Sequence, residues 1–346
     1  MKKNIFFYVL CGALIAPVIV SCGGPHLKIY NWTYYTPDTV IEKFEKEFDV
    51  RVVYDQFASN EELYAKLRTG GSGYDIIFPS GDYVPLMIRE NMLEKIDHSK
   101  MSNLKNVDPE ILQKAIYDPN MDYSVPYYYG AAGIIVNTAK VPVFERSWSI
   151  FSREDLRSRM VMLDDMREVI GGALKYLGYS VNTHDPAQVA DARDLINNSW
   201  KPNLVKFDAE SFGKGYANGD FWVVHGFVEV VYEEIIDNPQ LAADMFFFIP
   251  DEGGPAYIDN MCILRGSKNV ELAHKFIDFI HRPEIYAEFV DTFSFPATAN
   301  VPARQYKTGD SLYTVEELAN TELAKDLGSS MEYYSAAWFN SIRIGE

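Results

Sequence analysis

The sequence predicts a two-lobed α/β protein, each lobe a mostly parallel sheet flanked by helices, with a cleft between the lobes. Three observations carry this expectation. Beyond an N-terminal leader, strand-like and helix-like segments alternate, the order that builds a parallel sheet. The chain has 346 residues, enough for two domains of ordinary size. Neither a long flexible linker nor a repeat of about 20–50 residues divides it, so several short crossings should join the lobes.

The leader comes first. Lys2 and Lys3 give a positive start, Ile5 to Val20 is apolar, and Ile19-Val20-Ser21-Cys22-Gly23 sets a small residue before a cysteine. The pattern predicts a signal peptide over 1–21, lipidation of Cys22 and a linker to the anchor over 22–26. With no second spanning stretch, the chain is expected to be anchored to a membrane without crossing it. Cys11 leaves with the leader, and Cys262, inside Met261–Leu264, reads as a small core residue. One thiol forms no internal disulfide, and no Cys/His spacing suits a metal. Neither metal nor cofactor is expected.

Leu27–Trp32 reads as the first strand. Thr36-Pro37-Asp38 then supplies an N-cap, a first-turn proline and an early acid ahead of Ile41, Phe44 and Phe48. Val50–Tyr54 is a second strand, and Ser59-Asn60-Glu61-Glu62 is a capping box before Leu63 and Leu67. Gly70–Gly73 ends that helix, and Tyr74–Phe78 is a buried strand stopped by Pro79. Further strands are expected at Gly133–Asn137, Gly219–His225 and Ala256–Leu264. The acidic turn Leu163–Arg167 precedes a helix carrying Val169, Ile170, Leu174 and Leu177, and Glu271–Ile280 puts Leu272, Phe276 and Ile280 on one face. The lobes are expected to comprise 27–135 plus 258–302, and 136–257 plus 303–346.

Composition narrows the partner. Hydrophobic residues make up 47% and charged residues 23%, as in a globular protein. Net charge is −17, and removing residues 1–21 takes away two lysines and no acids, leaving −19. Such a chain disfavours nucleic acid and anionic membrane surfaces, and its field attracts cations.

In sheets of this type, ligands collect beyond the carboxyl ends of the strands, which singles out Asn31–Tyr35 and Ser80–Tyr83. Asp165 and Glu168, three apart at a helix entry, can project to one side as an amine receptor. They also serve the ordinary purpose of complementing a helix dipole. Asp259 follows Tyr257 at a strand candidate. A flexible dication wants acids for each ammonium, worth about 1.5–3 kcal/mol per charge-assisted bond. It wants flat walls for its methylenes, and an aromatic face attracts the ammonium by roughly 0.5–2 kcal/mol. Trp32, Tyr35, Trp222, Tyr257 and Phe295, with Asp82, Asp165, Glu168 and Asp259, supply both kinds of group. Catalysis fits less well. Glycosidase carboxylates face each other across a substrate, whereas Asp165 and Glu168 share one turn. Neither G-x-S-x-G nor H-E-x-x-H occurs, and the six histidines are scattered. No catalytic residue is assigned.

Several stretches go further. Tyr30-Asn31-Trp32-Thr33, Asn60-Glu61-Glu62-Leu63-Tyr64-Ala65-Lys66-Leu67, Tyr74-Asp75-Ile76-Ile77-Phe78-Pro79-Ser80 and Asp164-Asp165-Met166-Arg167-Glu168-Val169 resemble the spermidine/putrescine-binding proteins of polyamine ABC importers. The resemblance continues through Tyr123-Ser124-Val125-Pro126-Tyr127, Leu177-Gly178-Tyr179-Ser180 and Ile277-Asp278-Phe279-Ile280-His281-Arg282-Pro283. It implies a two-lobed periplasmic-binding-protein fold that closes on its ligand without catalysis. It further implies a monomer that meets importer permease subunits at the periplasmic or extracellular face of a bacterial membrane. Carried over by position, Trp32 and Tyr35 are cleft aromatics and Ser80 a polar contact. Asp165 and Glu168 are amine receptors from the other lobe, and Asp259 is the main acid. The departures are Tyr34 where spermidine binders carry an acid, Asp82 for an aromatic, and Tyr257 for a tryptophan. Phe295 replaces a tyrosine, Val224 a cleft tryptophan (with Trp222 nearby), and Ala324 a glutamine. These leave putrescine and spermidine unranked. The alternatives are a binder of another small cationic metabolite and a carboxylate-dependent hydrolase.

Overall fold

The first expected strand forms as β1, His26–Trp32, parallel to both β2, Arg51–Phe57, and β3, Ile76–Ile77. The computed structural model describes residues 24–33, 35–57, 59–70 and 73–344; the leader, Cys22 and Tyr34 lie outside the described residues. Between β1 and β2 runs the helix Asp38–Phe48, held down by buried Val40 and Phe44. Its N-cap is Pro37, not the expected Thr36. The Thr36 hydroxyl accepts from Asn31 Nδ2 at 3.0 Å and lies 3.0 Å from the Tyr127 hydroxyl, so its side chain is already committed. Helix Asn60–Arg68 starts as the capping box predicts, with Ser59 Oγ accepting from the Glu62 amide at 3.2 Å.

Two sheets form. In the first, the long strand β10, Pro255–Ile263, runs antiparallel to β3 and to β4, Val125–Gly130. The short β11, Glu322–Leu323, lies parallel to the start of β10. The second sheet joins Gly133–Asn137 (β5), Met160–Met162 (β6), Leu204–Phe207 (β7), Val223–Gly226 (β8) and Met245–Phe248 (β9). Its order is β7-β6-β8-β5-β9.

Both sheets are mixed, where the sequence suggests mostly parallel ones. β6 is parallel to β7 and β8, while β5 is antiparallel to β8 and β9. Connectivity is the reason: the chain leaves one sheet at Gly130 and enters the other at Gly133, and strands beside such a crossing return in the opposite sense. The C-terminal segment also reaches the crossing region. β10 already pairs at Pro255 and Ala256, and its partners there are Glu322 and Leu323 of the C-terminal segment.

Both faces of the first sheet are covered, as a sheet with helices on each side requires. Leu27, Ile29 and Ile263 enter the larger core, and Tyr30, Ile77 and Cys262 a smaller one. Cys262 is fully buried, the small core residue expected. Trp148, Phe151 and Trp200 anchor the core of the second lobe. Each large apolar side chain buried in this way contributes roughly 1.5–3 kcal/mol.

On the approach to β10, Gly253 has φ 84°, and an added Cβ would lie 2.0 Å from the Asn320 carbonyl oxygen. Gly253→Ala is expected to cost about 2 kcal/mol or more, read as a lower Tm by calorimetry.

Candidate functional site

Segments beyond the carboxyl ends of β3 and β6 bring acids of the two sheets to one crevice, where Asp82 acts on Asp259 and Glu168, and Asp165 on Asp82. At its centre stands Asp259 on β10, almost wholly buried. The register of β10 against β4 shifts between Asp259 and Asn260, and an isolated bridge ties Asp259 to Ser80. This irregularity aims the carboxylate, as bulges near sites commonly do. The Tyr35 hydroxyl donates to Asp259 Oδ2 at 2.7 Å, and Ser80 Oγ donates to Oδ1 at 2.6 Å. Ser80 is itself fixed by Asn60, whose Nδ2 donates to Ser80 Oγ at 3.0 Å. Burial pushes the Asp259 carboxyl up to about 7; the two hydroxyls pull it down and the charge of Asp82 raises it further.

A second acidic group spans the crevice. Asp82 follows β3 in the first lobe, and Asp165 and Glu168 open the helix Met166–Tyr176 in the second. Asp165 is that helix's N-cap, its Oδ1 accepting the Arg167 and Glu168 amides at 2.8 and 3.0 Å. Its position therefore serves the helix as well as the crevice. Asp82 is pushed up to about 6 by burial, with Arg167 lowering it and Glu61 and Asp165 raising it. Asp165 is raised by burial, against its two amide donors and Arg167. Glu168 is raised well above its usual range by burial, then by Asp165. Asp82 and Asp165 keep accessible surface although the surrounding walls desolvate them, the signature of carboxylates in a narrow crevice.

Glu168 Oε2 is buried without a hydrogen-bond partner among the described residues. It lies 3.9 Å from His225 Nε2, too far for a bond. Burial lowers His225 to about 3, so its ring is neutral, edge-on to Trp148 at 5.0 Å.

Of the sequence-predicted residues, Tyr35, Ser80, Asp82, Asp165, Glu168, Tyr257 and Asp259 gather around this crevice. Trp32 ends β1 beside them, its indole donating to the Phe78 carbonyl at 2.9 Å. Phe295 is fully buried and stacks on Tyr128 at 4.4 Å, so it backs the wall. Trp222 stands apart. It precedes β8, at the far end of that strand from His225, with its ring 5.0 Å from the Arg159 guanidinium. Glu229, outside the predicted set, lies in the first turn of the helix Val228–Ile235 just beyond β8. Burial pushes its carboxyl up to about 7, and Asp259 adds to the rise. Its position after a strand's carboxyl end was the available signal.

The sequence profile of the bacterial extracellular solute-binding proteins matches residues 39–314. The spermidine/putrescine-binding periplasmic protein of Salmonella typhimurium is 35% identical over 360 residues, with 100% of both chains covered. A putrescine-binding periplasmic protein of Pseudomonas aeruginosa is 31% identical, covering 91% of this chain and 90% of its own. Among solved structures, the TpPotD lipoprotein of Treponema pallidum superposes with a TM-score of 0.88 at 49% identity, covering 90% of this chain and 98% of its own. By profile, by full-length relatives and by fold, this chain belongs to the bacterial extracellular solute-binding proteins, alongside the spermidine/putrescine-binding periplasmic proteins.

Proposed function

We propose that this chain is the extracytoplasmic substrate-binding component of an ABC-type polyamine importer, taking putrescine or spermidine into the cleft between its lobes. The observation that carries the reading is the meeting of carboxylates from both lobes in one aromatic-walled crevice. Asp82 and Asp259 come from the first lobe, and Asp165 and Glu168 from the second. Acids this close repel one another, and a dication placed between them turns that repulsion into attraction. Tyr35, Trp32 and Tyr257 offer flat faces for the methylenes between the amines.

Closure follows from the same arrangement. A ligand that touches both walls binds the closed form better than the open one, and only such a difference shifts the balance between them. The residues proposed for binding are Trp32, Tyr35, Ser80, Asp82, Asp165, Glu168, Tyr257 and Asp259, with Phe295 in support. Lobes of 27–135 plus 258–302 and 136–257 plus 303–346 belong to this proposal, as do a monomeric state, docking of the closed complex on permease subunits and a lipid on Cys22. No residue is given a catalytic role.

Calorimetric titration of refolded, ligand-free protein tests the reading. Putrescine, cadaverine, spermidine and spermine are compared with a sugar and an amino acid. Saturable one-to-one binding of at least one amine is expected; binding of none of them would overturn the polyamine assignment.

A further inference from the structure

We propose that Glu229 is a ligand-binding acid from the second lobe, completing a two-sided pocket for a primary ammonium at the Asp259 end of the cleft. The proposal rests on the polyamine reading and extends it to a residue outside the predicted set.

Backbone pairing brings Glu229 to this place. Gly130-Ala131-Ala132-Gly133 carries the chain from one sheet to the other. Tyr257 pairs with Gly130 at its start, and Gly226 pairs with Gly133 at its end. Asp259 and Glu229 each lie a few residues beyond those pairings, so both flank the same crossing. The rings of Phe227, just after β8, and Tyr257, on β10, meet edge-on at 5.7 Å, which brings the segments that carry Glu229 and Asp259 together. The helix Val228–Ile235 buries Val228, Val231 and Ile235 and leaves Glu229 partly accessible beside them.

The electrostatics agree with the geometry. The charges of Glu229, Asp259 and Glu168 all act on the Tyr257 hydroxyl, which places that tyrosine between the two acidic groups. At the Asp82 end, Arg167 already supplies a positive charge to Asp82, Asp165 and Glu168. At the Asp259 end no lysine or arginine acts on Glu229 or Asp259 among the described residues. Glu229, which feels the charge of Asp259, and Asp259 itself therefore form the part of the cleft that most requires an external cation. Each Asp259 oxygen accepts one hydroxyl already, so an acceptor on the opposite wall suits an ammonium with three N–H donors.

The test is Glu229→Gln, which keeps the shape and removes the charge. Putrescine is titrated into both proteins at about pH 7 in two buffers of different ionisation enthalpy, which yields affinity and protons released together. The expected result is an affinity loss of about tenfold or more, with fewer protons released than by the wild type. Glu229→Asp should recover part of both. The ligand-free Glu229→Gln protein should melt no lower than the wild type, since the repulsion between Glu229 and Asp259 is removed. An affinity within about threefold of the wild type would overturn the contact while leaving the polyamine reading intact. A loss of affinity with an unchanged proton count would overturn it too, assigning Glu229 to packing. If the wild type itself bound no polyamine, both proposals would fall.

Discussion

Asp259→Asn is expected to weaken putrescine binding by about a hundredfold or more, the largest effect of any single substitution in the cleft. Asp259 is the carboxylate most thoroughly prepared for a cation. It is almost wholly buried, supported by Tyr35 and Ser80 on separate oxygens, and aimed by a register shift in β10. Asparagine preserves the shape and finds partners in both hydroxyls, because a hydroxyl can accept as well as donate. The fold should therefore survive, and only the charge facing the amine is lost. A buried ammonium left without its acid costs roughly 2–5 kcal/mol, which sets the expected size. Calorimetric titration reads it directly. Wild-type affinity in the variant would remove Asp259 from the binding site.

The second large effect is on pH. Asp82 titrates at about 6, and Asp259 and Glu229 at about 7, all raised first by burial. A cationic ligand binds the ionised acids, so affinity should climb about a hundredfold or more from pH 5 to pH 8 and then level off. Binding near neutrality should release protons. Stability of the ligand-free protein runs the other way. The usual values for these acids are 3.8 and 4.5, so between about pH 4 and pH 7 the folded chain holds protons that the unfolded chain has released. These groups therefore favour folding below their unfolded values, and that advantage is lost as pH rises through their folded values. The rise in Tm on adding putrescine should accordingly be larger at pH 8 than at pH 5. A rise that did not depend on pH would mean that these carboxylates do not meet the ligand.

Much of the fold was legible because local signals agreed with the global one. The period of Ile41, Phe44 and Phe48, the capping box at Ser59 and the apolar run Gly133–Asn137 each formed the element their chemistry favours. Thr36 failed as a cap because nearby Asn31 and distant Tyr127 took its hydroxyl, and no local pattern reports the tertiary contact with Tyr127. Strand direction was likewise illegible: Gly133–Asn137 has the same composition whichever way its neighbours run.

The site divided in a similar way. Asp165, Glu168 and Asp259 stood in stretches distinctive enough to be placed. Trp222 is a large aromatic next to a cleft strand, yet it lies at the far end of that strand and packs beside Arg159. Glu229 carries no distinctive local signal, because an acid in a first helical turn has an ordinary explanation; the proposal for it draws on the crossing at Gly130–Gly133.

Arg167 gives the crevice a property beyond affinity. Asp82, Asp165, Glu168, Glu229 and Asp259, fully ionised, would oppose several negative charges to that single guanidinium. A diamine neutralises fewer of them than a triamine or tetraamine does. With Asp82 pushed up to about 6 and Asp259 and Glu229 to about 7, protons can remain on those of the three that a shorter ligand leaves uncovered. The cleft is thus a buffer as much as a mould: it adjusts its own valence to the guest, so recognition of a chemical class need not require one fixed chain length.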